Sequence, residues 1–309
     1  MPREDRTAPK SATPGFVVAG HVVPSRPVAS GLYVVATPIG NLGDITLRAL
    51  ETLAGADVIA CEDTRVTHKL LERFGITTAM TPYHEHNAET ARPKLLARLA
   101  AGEAIALVSD AGTPLISDPG YKLVGAARAA GHAVTAVPGA SSVLAALSVA
   151  GLPTNRFFFE GFLPPKQAAR RTRIAELARI PSTLILFESG PRLAATLADL
   201  AEVLGARDAA ICRELTKLHE EVRRDPLPAL AAHYQNGGET RGEFVVLVAP
   251  PEAAAPIARG EDIDALLQRA LAEASLKDAV ATVADATGQP RREIYQRALA
   301  MVKSDGSHD

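Results

Sequence analysis

The feature that most constrains this chain is a repeated change of hydrophobic period between Gly31 and Ala150. Short, mainly apolar runs lie at 32–36, 58–61, 104–108 and 133–137, with a weaker one at 79–83, and longer stretches with apolar residues three and four positions apart fall between them. The short runs read as buried strands and the spaced ones as amphipathic helices. Helix signals punctuate the pattern. Asp44 is placed to cap a helix carrying Ile45, Leu47, Leu50 and Leu53, which Gly55 closes. A helix over 64–74 ends with Gly75 in the C′ position, and Asn87 precedes a helix through Leu95, Leu96 and Leu99 that Gly102 ends. Pro119 opens another that Gly131 closes, and small residues fill a last one over 140–150. Strand and helix in strict alternation predict an α/β fold with a mainly parallel sheet covered on both faces.

Gly151-Leu152-Pro153 breaks the pattern, and a second alternation follows. Strands are expected at 157–159, 183–187, 209–212 and 244–248, and helices over 166–179 and 191–204; residues 213–225 suit a hairpin or a loop equally. The Pro/Ala-rich segment 251–261 reads as a linker. Three short helical patterns at 262–273, 277–286 and 290–302 resemble a helix-turn-helix unit. Residues 1–30 hold five prolines and little periodicity and read as a disordered extension. The expected division is thus 1–30, an α/β lobe over 31–151, a second over 152–250, the linker, and a helical tail over 262–303.

Composition narrows the function classes. At 47% hydrophobic and 22% charged, 309 residues can bury a sizeable core, with aliphatic filling because aromatics are only 4%. The formal net charge of −2 offers no global attraction to nucleic acid, so RNA binding would need local patches. Cys61 and Cys212 are too few and too far apart for a disulfide framework or a zinc site, which suits a reducing cytoplasm. No apolar run approaches the ~20 residues of a membrane span, and no apolar core follows the charged start as in a secretory signal.

Ligands in open α/β sheets bind beyond the carboxyl ends of strands. Three Gly/Pro-rich segments sit there: 37–44, 109–114 (continuing through Ser117-Asp118-Pro119-Gly120) and 137–142. Each alone is an ordinary turn; three at successive strand ends suggest backbone amides gathered around a ligand. Neither a phosphate loop nor a G-x-G-x-x-G motif is present, which weakens triphosphate and dinucleotide readings. Polar clusters follow other strands: Cys61-Glu62-Asp63-Thr64-Arg65, Tyr83-His84-Glu85-His86-Asn87, and Glu214, Lys217 and His219. Thr64 and Asn87 suit helix capping, and Cys61 suits strand core. The trio 84–86 lacks a recognised metal spacing, so no metal is expected. Lys166, Arg170, Arg171 and Arg173 form a basic stretch that is either a solvated helix face or a grip on RNA backbone. Arg291, Arg292 and Arg297 add charge to the last helix.

The run Leu32-Tyr33-Val34-Val35-Ala36-Thr37-Pro38-Ile39-Gly40-Asn41-Leu42-Gly43-Asp44 resembles the start of the tetrapyrrole methylase superfamily. Residues 61–65, 108–114, 116–120 and 137–142, in that order, are similar to one branch, ribosomal RNA small subunit methyltransferase I, which methylates a cytidine 2′-hydroxyl in 16S ribosomal RNA. The resemblance spans 31 to about 303. It implies two α/β lobes with S-adenosyl-L-methionine in the cleft between them, a helix-turn-helix extension, and a homodimer acting on 16S rRNA or the small ribosomal subunit. The donor contacts it implies are Pro38, Ile39 and Gly40; Asp110, Ala111, Gly112, Thr113 and Pro114; Ser141 and Ser142; and Phe187, Glu188, Leu215 and Thr216. Porphyrin-modifying members tend to carry Gly-x-Gly-Pro-Gly in the first loop and Gly-Asp-Pro in the later one. Thr37-Pro38-Ile39-Gly40-Asn41 and Ser109-Asp110-Ala111-Gly112 depart from that pattern, which favours RNA over a tetrapyrrole.

The resemblance transfers no catalytic base. On residue chemistry, Asp63 or Glu85 is the expected proton acceptor, with Lys217 and Arg65 holding phosphate or positioning the ribose and His84 beside them. Lys166, Arg170 and Arg171 would meet the RNA backbone. A methyltransferase for a tetrapyrrole or other small molecule, and a non-catalytic nucleic-acid-binding regulator using the tail, remain open alternatives.

Overall fold

A computed structural model of the chain describes residues 15–117, 120–251 and 261–305. The expected helix start at Pro119 and nearly all of the 251–261 linker lie outside the described residues. The chain forms two compact units, Met1–Pro250 and Pro251–Asp309.

The first unit opens with a hairpin of β1 (Gly15–Val18) and β2 (His21–Pro24), antiparallel with Val18 opposite His21. Ala19 and Gly20 both take positive φ, the geometry that matches a two-residue turn to strand twist. This corrects the reading of residues 1–30 as disordered where it covers 15–30; residues 1–14 lie outside the described residues. Proline content outweighed a local signal, the valines on either side of Ala19-Gly20. Phe16 is buried among Leu50, Leu53, Leu70, Leu71 and Ile76, and Val17 N donates to Phe74 O at 2.7 Å. Burying a side chain of that size contributes about 1.5–3 kcal/mol.

The first sheet holds β3 (Gly31–Val35), β4 (Val58–Cys61), β5 (Met80–Pro82), β6 (Ala104–Val108) and β7 (Val134–Val137). All are parallel, in the order β5-β4-β6-β3-β7. The crossovers are α1 (Leu47–Gly55), α2 (Thr64–Arg73), α3 (Ala88–Ala100) and α4 (Tyr121–Ala129). Three caps differ from expectation. Thr46, not Asp44, caps α1, because residues 42–44 form a 3-10 turn first. Asp63 caps α2 by accepting from Arg65 N, which leaves Thr64 inside the helix; Asn87 makes no cap bond and instead accepts from His84 N and donates to Pro82 O.

After β7, α5 (Ser142–Val149) buries Val143, Ala146 and Leu147 against the second sheet. That sheet holds β8 (Phe157–Phe162), β9 (Thr183–Ser189), β10 (Asp208–Arg213), β11 (Glu221–Pro226) and β12 (Glu243–Val248), in the order β11-β10-β12-β9-β8. Only β8 and β9 are parallel. Helices α6 (Gln167–Leu177), α7 (Gly190–Leu204) and α8 (Leu227–Gln235) cover its other face around Ile174, Leu193, Leu197, Leu200 and Leu230. The ambiguous 213–225 segment is a hairpin: β10 and β11 pair antiparallel across a seven-residue connection, 214–220.

Among the described residues, the second unit has three helices, α9 (Glu261–Glu273), α10 (Leu276–Thr287) and α11 (Arg291–Asp305), around Ile263, Leu267, Val280, Val283, Ile294 and Ala298. Ser275 caps α10, and Gly288 ends it in the left-handed conformation that glycine adopts without strain. Arg297 pairs with Asp264 at 2.9 Å.

Candidate functional site

The parallel order of the first sheet brings β3, β6 and β7 side by side, so the loops that follow them meet. Thr37 and Gly112 exchange backbone hydrogen bonds at 2.9 and 3.1 Å, and Thr37 Oγ1 donates to Ser109 O. Thr113 Oγ1 donates to Ala140 O at 3.2 Å, which ties the second loop to the third. Gly112 sits at φ +74, and a Cβ there would stand 3.1 Å from Ile39 Cγ2, so only glycine lets the first two loops touch without strain.

These loops face the second sheet across a cavity of about 330 Å³. Ile39, Ala111, Gly112, Thr113, Ser141 and Ser142 line one side. The other is a row of register partners: Phe162 on β8 pairs with Phe187 on β9, Phe187 with Val245 on β12, and Val245 with Cys212 on β10. Ser189 and Glu243 form the next paired row, and Leu215 adds an apolar contact from the 214–220 loop. Burial pushes the Cys212 thiol up to about 12, so it stays protonated and apolar near neutral pH. Non-glycine residues with positive φ flank the cavity on both sides: Leu115 and Ser117 in one loop, Glu214 and Thr216 in the other.

The volume lies in the range of small-molecule sites, about 300–1,000 Å³. Apolar Phe187, Leu215 and Val245 face Ile39 and the hydroxyls of Thr113, Ser141 and Ser142, and the buried Thr216 Oγ1 nearby has no hydrogen-bond partner among the described residues. That mixture fits a small molecule with both apolar and hydrogen-bonding parts.

Comparison with known proteins places this arrangement. The tetrapyrrole (corrin/porphyrin) methylase family matches residues 31–231, and the RsmI C-terminal HTH domain matches residues 258–302. Ribosomal RNA small subunit methyltransferase I of Mesorhizobium japonicum is 52% identical over 288 residues, 93% of this chain and 97% of its own. Its namesake in Pseudomonas aeruginosa is 47% identical over 276 residues, 88% of this chain and 97% of its own. This chain belongs to the ribosomal RNA small subunit methyltransferase I family. Its fold is shared with the solved methyltransferase CobJ (TM-score 0.53, 20% identity, 75% of this chain and 98% of that one) and diphthine synthase (TM-score 0.55, 18% identity, 71% and 89%).

For a member of the methyltransferase I family, the expected donor contacts fall unevenly. Ile39, Ala111, Gly112, Thr113, Ser141, Ser142, Phe187, Glu188 and Leu215 line the cavity; Pro38, Gly40, Asp110, Pro114 and Thr216 stand just outside its lining. The Glu188 carboxylate is turned inward, accepting from Thr196 Oγ1 at 2.6 Å and from Ser189 N at 2.8 Å. Sequence reasoning marked Ile116 and Ser117 only as part of a motif segment, not as contacts, and missed Phe162, Ser189, Cys212, Gly242, Glu243 and Val245. The strand alternation marked candidates, but only the pairing register selects which of them share a row.

The expected acceptor-side residues are not one cluster of free groups. Asp63 is clamped by Arg65, through Nε at 3.0 Å and Nη2 at 2.6 Å, and this pairing holds its carboxyl at about 2. A carboxylate so acidic is a weak base, which argues against Asp63 as proton acceptor. Asp110 accepts from Asp63 N, and burial raises its carboxyl above the ordinary range. Lys217 is not a free cation. Its Nζ donates to Glu214 and Glu243, both at 2.8 Å, and its stem lies over Gly40, where a Cβ would collide with Lys217 Cγ. Burial works against its charge, but the two carboxylates outweigh it, so Lys217 stays protonated and cannot act as a base. Glu85 is exposed, while His84 is half-buried with its Nδ1 unpartnered among the described residues.

The basic stretch is also corrected. Arg170 is buried and bound to Asp199 at 2.6 Å; Arg171 bonds Asp199 and, through two nitrogens, Glu202; Arg173 grips Glu160 and Glu176. Charges spaced on one helix looked like an RNA patch, but α7 and β8 supply carboxylates for Arg170, Arg171 and Arg173. Lys166 stands at the N-cap position of α6.

Proposed function

We propose that this chain transfers a methyl group from S-adenosyl-L-methionine to the ribose 2′-hydroxyl of a cytidine in 16S ribosomal RNA. The observation that carries the reading is the single cavity shared by the loops after β3, β6 and β7 and the Phe187–Val245–Cys212 row, in a chain of this family. Ile39, the Ala111–Thr113 backbone, Ser141, Ser142, Phe187 and Leu215 would hold the donor, which when bound supplies a methyl group on a sulfonium. A polar cleft suits that cation better than a strong ion pair, because its positive charge is already being dispersed in the transition state and leaves the sulfur as the methyl group is transferred.

The chain's own contribution is placement. Holding acceptor and donor in line removes much of the entropic barrier, and loops stitched at Thr37–Gly112 and Thr113–Ala140 give the rigidity this needs. With Asp63 clamped by Arg65 and Lys217 held by two carboxylates, exposed Glu85 is the remaining candidate base, and solvent taking the hydroxyl proton is the alternative to it. The same reading carries a cytoplasmic homodimer whose partner is the small subunit or its 16S RNA.

The test is incubation of the purified protein and methyl-labelled donor with small subunits from cells lacking this activity, with a porphyrinoid, or with neither. Label in 16S RNA at a cytidine that then resists alkaline cleavage is the expected result. Label in the porphyrinoid alone would replace this reading with the tetrapyrrole one.

A further inference from the structure

The apolar row on the second sheet ends in the open. Cys212 is fully buried, Val245 is 6% exposed, Phe187 is partly buried, and Phe162 at the edge strand is 57% exposed. Its ring lies edge-to-face with Phe187 at 5.6 Å, and Phe187 with Phe159 at 4.9 Å.

Phe162 reaches this row only through a bulge. Side chains alternate faces along a strand. Phe158 packs into the core under α6 and α7, whereas Phe159 packs on the cavity face. Regular alternation would return Phe162 to the Phe158 face. The register shift between Phe159 and Gly161 inserts one residue, Glu160, and reverses the sense, so Phe162 pairs with Phe187. Two features hold the bulge. Arg173 grips Glu160 through Nε and Nη2 at 2.6 and 2.8 Å. Gly161 takes φ +77, and a Cβ there would stand 3.1 Å from Ser117 Oγ in the loop that follows β6. In that loop Leu115 and Ser117 both take positive φ around Ile116, another exposed apolar side chain lining the cavity. Neither strained backbone nor a bulge that brings an aromatic ring out to water serves core packing; such departures concentrate at functional sites.

We propose that Phe162 is the stacking platform for the base of the acceptor nucleotide, with Ile116 as a second apolar contact. This rests on the RNA-methylating reading above. A ribose inside a folded RNA enters a cleft only when its base leaves the stack, and an aromatic face replaces the lost stacking. The buried part of the row, with Leu215, suits the donor, so Phe162 at the rim stays accessible once the cavity is filled. Arg173 is then a positioning residue that keeps the bulge, and with it the ring, in place.

The experiment compares Phe162→Ala, Phe162→Leu and Phe162→Tyr. Donor affinity is measured by calorimetry, and binding of unmethylated small subunits by filter retention without donor. Alanine and leucine weaken subunit binding about 10- to 100-fold, in line with loss of one base–aromatic stack, tyrosine restores it, and donor affinity stays at wild type in all three. Leucine binding as well as phenylalanine overturns stacking, and equal loss of donor affinity assigns the ring to the donor. Wild-type protein that methylates subunits while every variant binds them normally refutes this proposal alone; wild-type protein that labels no subunit refutes the reading beneath it.

Discussion

The backbone amide of Asp63 donates to Asp110 Oδ1 across 3.0 Å, tying the end of β4 to the end of β6 beside the cavity wall. Asp63 holds this place because its own carboxylate caps α2 and binds Arg65. Asp63→Asn keeps both the cap and the amide. Its single-turnover methylation rate should stay near wild type, whereas loss of a general base would cut it about 10²–10⁴-fold. Asp110→Ala cuts the tie and should weaken donor binding in calorimetry.

Gly112→Val should lose donor affinity and some stability together. The residue sits at φ +74, where a side chain costs about 1–2 kcal/mol, and the added Cβ presses on Ile39. Wild-type donor affinity in a folded variant would place the ligand elsewhere.

Lys217 and Gly40 form a contact between the two lobes that a double-mutant cycle can read. Gly40→Ala displaces the lysine stem, so adding Lys217→Ala should cost little more than either change alone. The Glu214 carboxyl lies below the ordinary glutamate range because Lys217 Nζ donates to it. A depressed folded value means the stabilisation is complete above the unfolded pKa of about 4.3 and is lost as pH falls through the folded one. Acid should therefore lower the melting temperature less in Lys217→Ala than in wild type.

Arg170→Ala should destabilise the protein by about 3 kcal/mol, the low end for breaking a buried ion pair, because Arg171 and Gln167 still bind Asp199. RNA affinity of the folded variant should be unchanged. Denaturant melts and filter binding check the two halves, and a selective loss of RNA binding would return Arg170 to the substrate.

The alternation of periods by itself determined the α/β class and set strands at 58–61 and 104–108, and the Gly/Pro-rich stretches marked the loops after β3, β6 and β7. Those signals are local, because burial of a strand and reversal of a chain are decided within a few residues. What lies across the cavity was decided by tertiary structure. The Phe162–Phe187–Val245–Cys212 row needs the pairing register of four strands and a one-residue bulge. The neutralisation of Arg170 and Arg171 needs carboxylates from α7, and the Lys217 stem meets Gly40 from far along the chain. Spacing along one element records which face a side chain takes, but not which partner the fold brings to that face, and partnership decides whether a charge is free to meet a ligand or is already spent on the core.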